Sequence, residues 1–272
     1  MSRAPAPAKI NLALVVGPLR DDGKHEVLTV LQRIDLVDRI ELAPAAALAV
    51  EGFAGDTLVR RALEALAERT GVEPRWRVRI EKRIPVAAGL GGGSSDAATA
   101  LRLANGTLPD PLPAGELHGL AATLGADVPF FLADGPQLGA GDGSELEPLE
   151  LPQDFWVLVL LPNGVTKAST ASVYSDFDAR GGADGWEARR RALLDGLAAV
   201  ERPRDLASLP PNDLASSPLA GRLREAGAFR ADVSGAGPAL YGLFHHRSHA
   251  EAAKRSLRGV GRGWIAAAAW YG

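Results

Sequence analysis

The sequence predicts an α+β protein of two domains. A chain of 272 residues is too long for one small core, and its 46% hydrophobic and 23% charged residues are typical of a globular protein. The second half has a helix-and-hairpin order that suits helices on one face of an antiparallel sheet. Pro148 and Pro152 interrupt the chain before an apolar run at 155–161. We therefore expect one domain at 1–152 and a second at 153–272.

Apolar periodicity and turn residues predict the individual elements. The predicted strands of the first domain are 9–16, 27–34, 39–50 and 76–80, and its predicted helices are 56–68, a segment ending near 104, and 114–124. The predicted strands of the second domain are 155–161, 229–234, 239–245 and 263–270, and its predicted helices are 169–176, 185–200, 218–226 and 250–257. Ser217 is the expected N-cap of the helix at 218–226.

Composition limits the classes of partner. The net charge of −3 gives no bulk attraction to nucleic acid or to an anionic membrane. The absence of Cys excludes disulfides and cysteine metal sites, and the cluster of His245, His246 and His249 is expected to be a solvated turn. The first residues lack an apolar signal core, and no apolar run approaches membrane length. We expect a cytoplasmic protein.

The glycine-rich segment at 84–98 predicts a phosphate-binding loop. It consists of Ile-Pro-Val-Ala-Ala-Gly-Leu-Gly-Gly-Gly-Ser-Ser-Asp-Ala-Ala and joins an apolar run to a helical pattern. Glycines allow positive φ and close approach of the backbone to a ligand. Ser94 and Ser95 offer hydroxyls where the first helical turn leaves N–H groups unpaired. These N–H groups and the helix dipole favour phosphate.

Two better-known phosphate loops do not fit this segment. A Walker loop needs a lysine, and none lies between Gly89 and Ala98. A dinucleotide fingerprint needs a different glycine spacing, and Asp110, about twenty residues on, lies among prolines. A glycine-rich surface turn with a serine cap remains the structural alternative. Four glycines within residues 89–93 are more than such a cap requires.

Three further segments carry candidate chemistry. Residues 7–12 (Pro-Ala-Lys-Ile-Asn-Leu) place Lys9 in an apolar strand, and residues 125–131 (Gly-Ala-Asp-Val-Pro-Phe-Phe) place Asp127 after a helix end. Residues 234–239 (Ser-Gly-Ala-Gly-Pro-Ala) form a second glycine turn. The structural alternatives are a solvated strand end, a helix cap and a simple hairpin. With a phosphate loop, the same segments supply the parts of a phosphoryl-transfer site.

The order of these four segments resembles the GHMP kinases, the superfamily of galactokinase, homoserine kinase, mevalonate kinase and phosphomevalonate kinase. Residues 22–26 and 212–214 add to the resemblance, which is strongest to the branch with a cytidyl substrate. It implies a ribosomal-protein-S5-like N-terminal α/β domain and a ferredoxin-like C-terminal domain. It also implies ATP-dependent phosphorylation of the 2-hydroxyl of 4-diphosphocytidyl-2-C-methyl-D-erythritol, Mg2+ as a cofactor, and a monomer or weak homodimer.

The resemblance also implies roles for single residues. Asp127 would accept or orient the proton of the reacting hydroxyl, and Lys9 would pair with Asp127 and the phosphoryl oxygens. Substrate would be bound by Asn11, Lys24, His25, Asp127 and Tyr174, with His25 on the cytosine edge and Tyr174 stacked on the base. ATP would be bound by Pro85, Ala87, Ala88, Gly89, Leu90, Gly91, Gly92, Gly93, Ser94 and Ser95. Only Ser95 is a candidate ligand for Mg2+, and no metal site is assigned.

Two positions depart from the family pattern. Lys24 stands where an aromatic residue usually closes one side of the cytosine, so it can meet a ring or the diphosphate but cannot sandwich the base. Ser144 stands where the stretch at 139–144 often carries a glutamate. Tyr174 also has a structural alternative as a packing residue between the domains.

Two other functions remain as alternatives. A sister kinase acting on homoserine, mevalonate or a sugar is disfavoured by His25 and Tyr174, because those substrates present no base. A catalytically silent nucleotide-binding regulator is disfavoured by the presence of both Lys9 and Asp127.

Overall fold

The computed structural model describes residues 1–54, 58–165 and 169–268. Residues 56 and 57 of the predicted first helix, and the end of the predicted last strand, lie outside these ranges. The chain divides into two compact units, each built from separated segments. Unit 1 comprises Met1–Ala8, Val37–Val86 and Gly91–Asp134, and unit 2 comprises Lys9–Leu36, Ala87–Leu90 and Gly135–Gly272. The boundary near residue 152 stays a prediction.

The described residues form ten strands and seven α-helices. The strands are β1 (Ser2–Leu19), β2 (His25–Pro44), β3 (Ala49–Glu51), β4 (Trp76–Glu81), β5 (Gln137–Ala140), β6 (Glu145–Pro148), β7 (Trp156–Pro162), β8 (Arg230–Val233), β9 (Leu240–Phe244) and β10 (Gly261–Ala267). The helices are α1 (Leu58–Thr70), α2 (Gly92–Asn105), α3 (Ala114–Leu124), α4 (Thr170–Ala179), α5 (Trp186–Ala198), α6 (Leu219–Glu225) and α7 (Arg247–Ser256). None of these helices is long and apolar enough to cross a membrane.

Unit 1 joins a small sheet to three helices. The later part of β2 pairs antiparallel with β4, and β4 pairs parallel with β3. α1 buries a stripe at helical spacing that contains Val59, Leu63 and Leu66. α2 buries four alanines and Leu101 together with four polar residues, and it packs against α1. α2 directly follows the glycine-rich loop, and its packing against α1 fixes where the loop ends.

Unit 2 contains a four-stranded antiparallel sheet in the order β10-β7-β9-β8. α6 and α7 pack on it through a core that includes Leu158, Leu223 and Ala253. The first part of β2 pairs with β5, which pairs with β6. A second cluster, with Val16, Val27 and Phe177 among its members, packs α4 against the strands. Helices and mainly antiparallel strands in both units confirm the α+β class.

The structure differs from the predicted elements in three places. The predicted strands 27–34 and 39–50 belong largely to one continuous strand, β2, and β1 extends well beyond 9–16. The short strands β5 and β6 were not predicted. α6 begins at Leu219 with Pro218 as its N-cap, so Ser217 is not the cap, although its Oγ accepts the N–H of Leu219 at 3.3 Å.

Candidate active site

The glycine-rich loop makes its turns with left-handed backbone. Gly89 (φ 82°), Gly91 (φ 67°) and Ala87 (φ 57°) adopt positive φ, whereas Gly92 does not. Gly91 is the N-cap of α2 and no described side chain caps this helix, which contradicts the structural alternative of a surface turn with a serine cap. Ser95 lies inside the first turn, where its N–H donates to the Gly91 carbonyl at 2.9 Å. A helix start without a side-chain cap suits an anion.

The second glycine turn packs on this loop within unit 2. A Cβ on Gly89 would lie 2.3 Å from the Ser234 carbonyl oxygen. The Ser234 hydroxyl donates to the Gly89 carbonyl at 2.9 Å, and the Ala239 N–H donates to the Ala88 carbonyl at 3.0 Å. The turn does connect β8 to β9, as the hairpin alternative requires. It also holds the glycine-rich loop in place.

Lys9 is buried and hydrogen-bonded, which contradicts the alternative of a solvated strand end. Its side chain donates to Asn11 Oδ1 at 2.7 Å, and its N–H donates to the Leu90 carbonyl at 2.9 Å. The Asn11 amide donates to Thr29 Oγ1 at 2.9 Å, and Lys9 and Asn11 are each only 4% exposed. Strand β1 therefore places an oriented ammonium group beside the loop.

The second glycine turn also approaches this ammonium group. A Cβ on Gly235 would lie 3.4 Å from Asn11 Oδ1 and 3.6 Å from Lys9 Nζ. The Asn212 amide fixes the turn by donating to the carbonyls of Gly235 at 2.7 Å and Val233 at 3.0 Å. Three sequence motifs thus meet within unit 2 at Lys9. A buried cation lined by glycine backbone is chemically suited to an anionic group.

His25 is enclosed by one face of α4. Its ring stacks on Tyr174 with centroids 4.9 Å apart and meets the edge of Phe177 at 5.7 Å. Its Nε2 lies 2.8 Å from Asp178 Oδ1 and donates to that carboxylate. A base inserted between two rings would need about 7 Å, twice the ~3.4 Å stacking distance of DNA bases. No base fits between His25 and Tyr174 in this arrangement, and both residues lie in unit 2.

Lys24 forms an ion pair with Asp142, in the loop whose role the sequence left open. Burial raises the pKa of Asp142, but hydrogen bonds from Lys24 and Ser144 outweigh it and lower the pKa to about 2. The hydrogen bond to Asp142 raises the pKa of Lys24. Lys24, which stands at the position of the expected aromatic residue, is therefore bound to the loop at 139–144 through its ion pair with Asp142.

Asp127 lies in unit 1, in a turn between α3 and a short 3₁₀ helix at Pro129–Phe131. It is half-buried, and the turn is closed by the Val128 N–H, which donates to the Gly125 carbonyl at 3.0 Å. Its catalytic role stays a prediction.

A buried ionic network in unit 1 was missed by the sequence analysis. Lys82 donates to Asp38 at 2.5 Å and to Asp96 at 2.7 Å, and both carboxylates are fully buried. Burial lowers the pKa of Lys82, but the two carboxylates outweigh it, so the pKa is raised. Asp38 is fully buried in β2, and a buried carboxylate requires a partner of this kind.

The described residues offer only part of a metal-binding site. They hold no group of three or more His, Cys, Asp or Glu side chains that could enclose one. The Ser95 hydroxyl is fully buried and has no hydrogen-bond partner among the described residues. One hydroxyl fits an ion held mainly by nucleotide phosphates, which is how Mg2+ is often bound.

Comparison with known proteins identifies the family. The profile of the GHMP kinases N terminal domain matches residues 57–135, and that of the GHMP kinases C terminal region matches 215–263. A protein of Anaeromyxobacter dehalogenans named 4-diphosphocytidyl-2-C-methyl-D-erythritol kinase is 40% identical over 96% of this chain and 86% of its own length. The protein of Geobacter sulfurreducens with the same name is 36% identical over 97% and 96%. The chain belongs to this kinase family.

Solved structures confirm the two-domain GHMP kinase fold. A crystal structure of 4-(cytidine 5'-diphospho)-2C-methyl-D-erythritol kinase has a TM-score of 0.79 and 34% identity, and it covers 97% of this chain and 98% of that one. The mevalonate kinase of Methanococcus jannaschii has a TM-score of 0.75 at 14% identity, covering 98% of each chain, and supports the fold alone. Membership of the family makes the protein an ATP-dependent small-molecule kinase, as the sequence predicted.

Proposed function

We propose that this protein transfers the γ-phosphoryl group of ATP to the 2-hydroxyl of 4-diphosphocytidyl-2-C-methyl-D-erythritol, a step of non-mevalonate isoprenoid biosynthesis. The observation that carries the proposal is the near full-length similarity to kinases named for this substrate. The geometry of unit 2 supports it, because the buried Lys9, the loop residue Leu90 and the turn at Gly235 meet as a kinase requires. Phosphoryl transfer depends on positioning and charge neutralisation more than on covalent chemistry.

Asp127 and Lys9 carry the chemical step in this proposal. The substrate hydroxyl oxygen forms a bond to the γ-phosphorus, and its proton passes to the Asp127 carboxylate. The bond between the γ-phosphorus and the β,γ-bridging oxygen breaks, and ADP leaves. Lys9 neutralises charge on the transferred phosphoryl oxygens. Asn11 orients the Lys9 ammonium group through the 2.7 Å hydrogen bond and lies near the reacting hydroxyl.

The glycine-rich loop binds the phosphates of ATP in this proposal. The uncapped N-terminus of α2 offers N–H groups from Gly92 onward, and the helix dipole adds positive charge. The loop residues from Pro85 to Ser95 named above as ATP-binding remain the candidates. Mg2+ would be held by the nucleotide phosphates and Ser95, and it would neutralise phosphate charge when bound.

His25 and Tyr174 bind the cytidyl end in this proposal. Because the two rings already stack on each other, the cytosine lies against the far side of Tyr174 or at the edge of His25, outside the pair. Lys24, paired with Asp142, contributes charge to this end in place of an aromatic ring. A cytoplasmic location and a monomer or weak homodimer remain predictions.

Measuring ADP release with a panel of alcohols tests the function. The panel contains the cytidyl alcohol, homoserine, mevalonate and galactose, and cytidine diphosphate without the alcohol serves as the control. We expect ADP release with the cytidyl alcohol alone. Release with another alcohol would establish a sister kinase, and ATP binding without release on any alcohol would establish a silent regulator.

A further inference from the structure

We infer that Lys82, Asp38 and Asp96 form a clamp that fixes both ends of the phosphate loop and so positions it for ATP. The inference rests on the proposed binding of ATP at this loop. Lys82 and Asp38 lie outside the glycine-rich segment at 84–98, and Asp96 lies inside it, after the glycines and serines. They are positioning residues, because they act through the loop backbone.

Asp38 fixes the entry to the loop. One oxygen of its carboxylate accepts the N–H groups of Arg83 at 2.5 Å and Ile84 at 2.8 Å, and its other oxygen accepts from Lys82. Residues 82–84 are the last before the loop begins at Pro85. A fully buried carboxylate with three donors is a strong anchor, since charged hydrogen bonds are stronger than neutral ones.

Lys82 connects this entry to the exit of the loop. Its second ion pair is with Asp96, in the second turn of α2, the helix that follows the loop. A Cβ on Gly92 would lie 3.1 Å from Ile84 Cγ2 and 3.3 Å from Lys82 Nζ. The two ends of the loop at 85–91 therefore lie close together, and a side chain at position 92 would crowd Ile84 and Lys82 although φ of Gly92 is not positive.

The two negative charges of the clamp hold the Lys82 ammonium group in its ion pairs. Two fully buried carboxylates need a cation, and removing one partner of a buried pair leaves the other uncompensated. Lys82 is therefore unlike the lysine of a Walker loop, which contacts phosphate directly. Its contribution to binding is preorganisation: a loop already held at both ends loses less conformational freedom when ATP binds.

Asp96→Asn is the decisive variant, because it removes one carboxylate and leaves the Lys82–Asp38 pair balanced. We expect calorimetry to give a Kd for ATP about tenfold higher than wild type, the cost of ordering a few loop residues at binding. The KM for the cytidyl alcohol should stay within about twofold of wild type. Leu66→Ala, in the buried face of α1, is the control for stability loss alone and should leave the Kd for ATP unchanged.

Two variants of Lys82 keep the test decisive if Asp96→Asn folds poorly. Lys82→Arg retains the charge and should bind ATP nearly as well as wild type, whereas Lys82→Met should bind it more weakly than Asp96→Asn. An unchanged Kd in Asp96→Asn and Lys82→Met would overturn the clamp. Tighter binding in Asp96→Asn would also overturn it, because Lys82 would then be a phosphate ligand held back by Asp96.

Binding is measured without the alcohol, so failure of the clamp and failure of the proposed function are distinguishable. A wild-type protein that binds ATP but phosphorylates none of the alcohols contradicts the proposed function and leaves the clamp measurable. A wild-type protein that binds no ATP overturns both.

Discussion

A buried charge that lies beside glycine backbone can indicate function, and Lys9 is such a charge. Lys9 is only 4% exposed, and its ammonium group donates to Asn11 Oδ1 at 2.7 Å. Burying a cation is costly unless it is solvated by the protein. An ammonium group oriented in this way beside glycine backbone is suited to contact an anionic group. Lys82 lies in a different setting, between the carboxylates of Asp38 and Asp96.

Asp127→Asn tests the proposed role of Asp127 as the proton acceptor. The variant keeps the size of the side chain but removes its basicity, so we expect kcat to fall by ~10²–10⁴-fold. Thermal unfolding and ATP affinity should match wild type. Asp110→Asn, an exposed carboxylate in the same unit, is the matched control and should retain full turnover. Wild-type turnover in Asp127→Asn would make Asp127 a structural residue of its turn.

At the scale of elements, the loop glycines have different reasons to be glycine. Gly89 adopts a positive φ, and it also needs to lack a Cβ because that atom would clash with the Ser234 carbonyl oxygen. Gly93 lies in α2, and a Cβ there would meet nothing within 4 Å. The motif predicts a phosphate loop but does not distinguish these two glycines. The difference arises because Gly89 contacts the turn at 234–239, which is distant in the sequence, whereas nothing lies within 4 Å of a Cβ on Gly93.

Gly89→Ala and Gly93→Ala form a matched pair of variants. Gly89→Ala introduces a clash and a left-handed alanine, which costs roughly 1–2 kcal/mol for the backbone alone. We expect its Tm to fall by about 4 °C or more. Gly93→Ala should keep or raise the Tm, because alanine favours a helix by about 0.5–1 kcal/mol over glycine. Thermal unfolding measures both, and equal Tm values would mean that the Gly89 contact does not constrain the loop.

The pair between Lys24 and Asp142 should make stability depend on acid pH. The pKa of Asp142 is about 2 in the fold, below its ordinary 3.8, so its contribution is present above pH 3.8 and is lost as pH falls through 2. Urea unfolding at about pH 5 and about pH 3 should show a larger loss in wild type than in Asp142→Asn. Asp21→Asn, exposed in the nearby turn, should behave like wild type. The same loss in Asp142→Asn would show that the pair contributes nothing.

The sequence predicted elements well where local periodicity is complete. α3 begins and ends as predicted, at Ala114 and Leu124, and Gly125 ends it. β2 was divided in two because Asp35 and Asp38 interrupt its apolar run. Asp38 is tolerated there because Lys82 and the N–H groups of Arg83 and Ile84 donate to it, and the sequence pattern alone does not show such tertiary contacts.

The site was predicted as a set of motifs, and the structure supplies the contacts within unit 2 that join them. Resemblance pointed to Lys9, Asn11 and the turn at 234–239, and the fold brings these three together. Thr29 and Asp178, which hold Asn11 and His25, carry no motif of their own. Residues that position others are fixed by packing, and a single sequence contains little signal for them.

At the scale of the whole molecule, each compact unit is assembled from segments far apart in the chain. Unit 2 takes Lys9–Leu36 from the start, Ala87–Leu90 from the loop and everything from Gly135 onward. Function is therefore distributed along the sequence, and His25 and Tyr174 stack although about 150 residues separate them. A contiguous division of the chain would place these two residues in different domains.

A change at Tyr174 tests the proposal that unit 2 binds the cytidyl end of the substrate. Tyr174→Ala removes an aromatic face worth about 1–3 kcal/mol of base stacking, so the KM for the cytidyl alcohol should rise about tenfold. The KM for ATP should not change, because α4 carries none of the residues assigned to ATP. Val173→Ala, a buried neighbour on α4, is the control: it should lower the Tm while preserving both KM values. If Tyr174→Ala lowers the Tm and leaves both KM values unchanged, Tyr174 packs against His25 and does not bind the base.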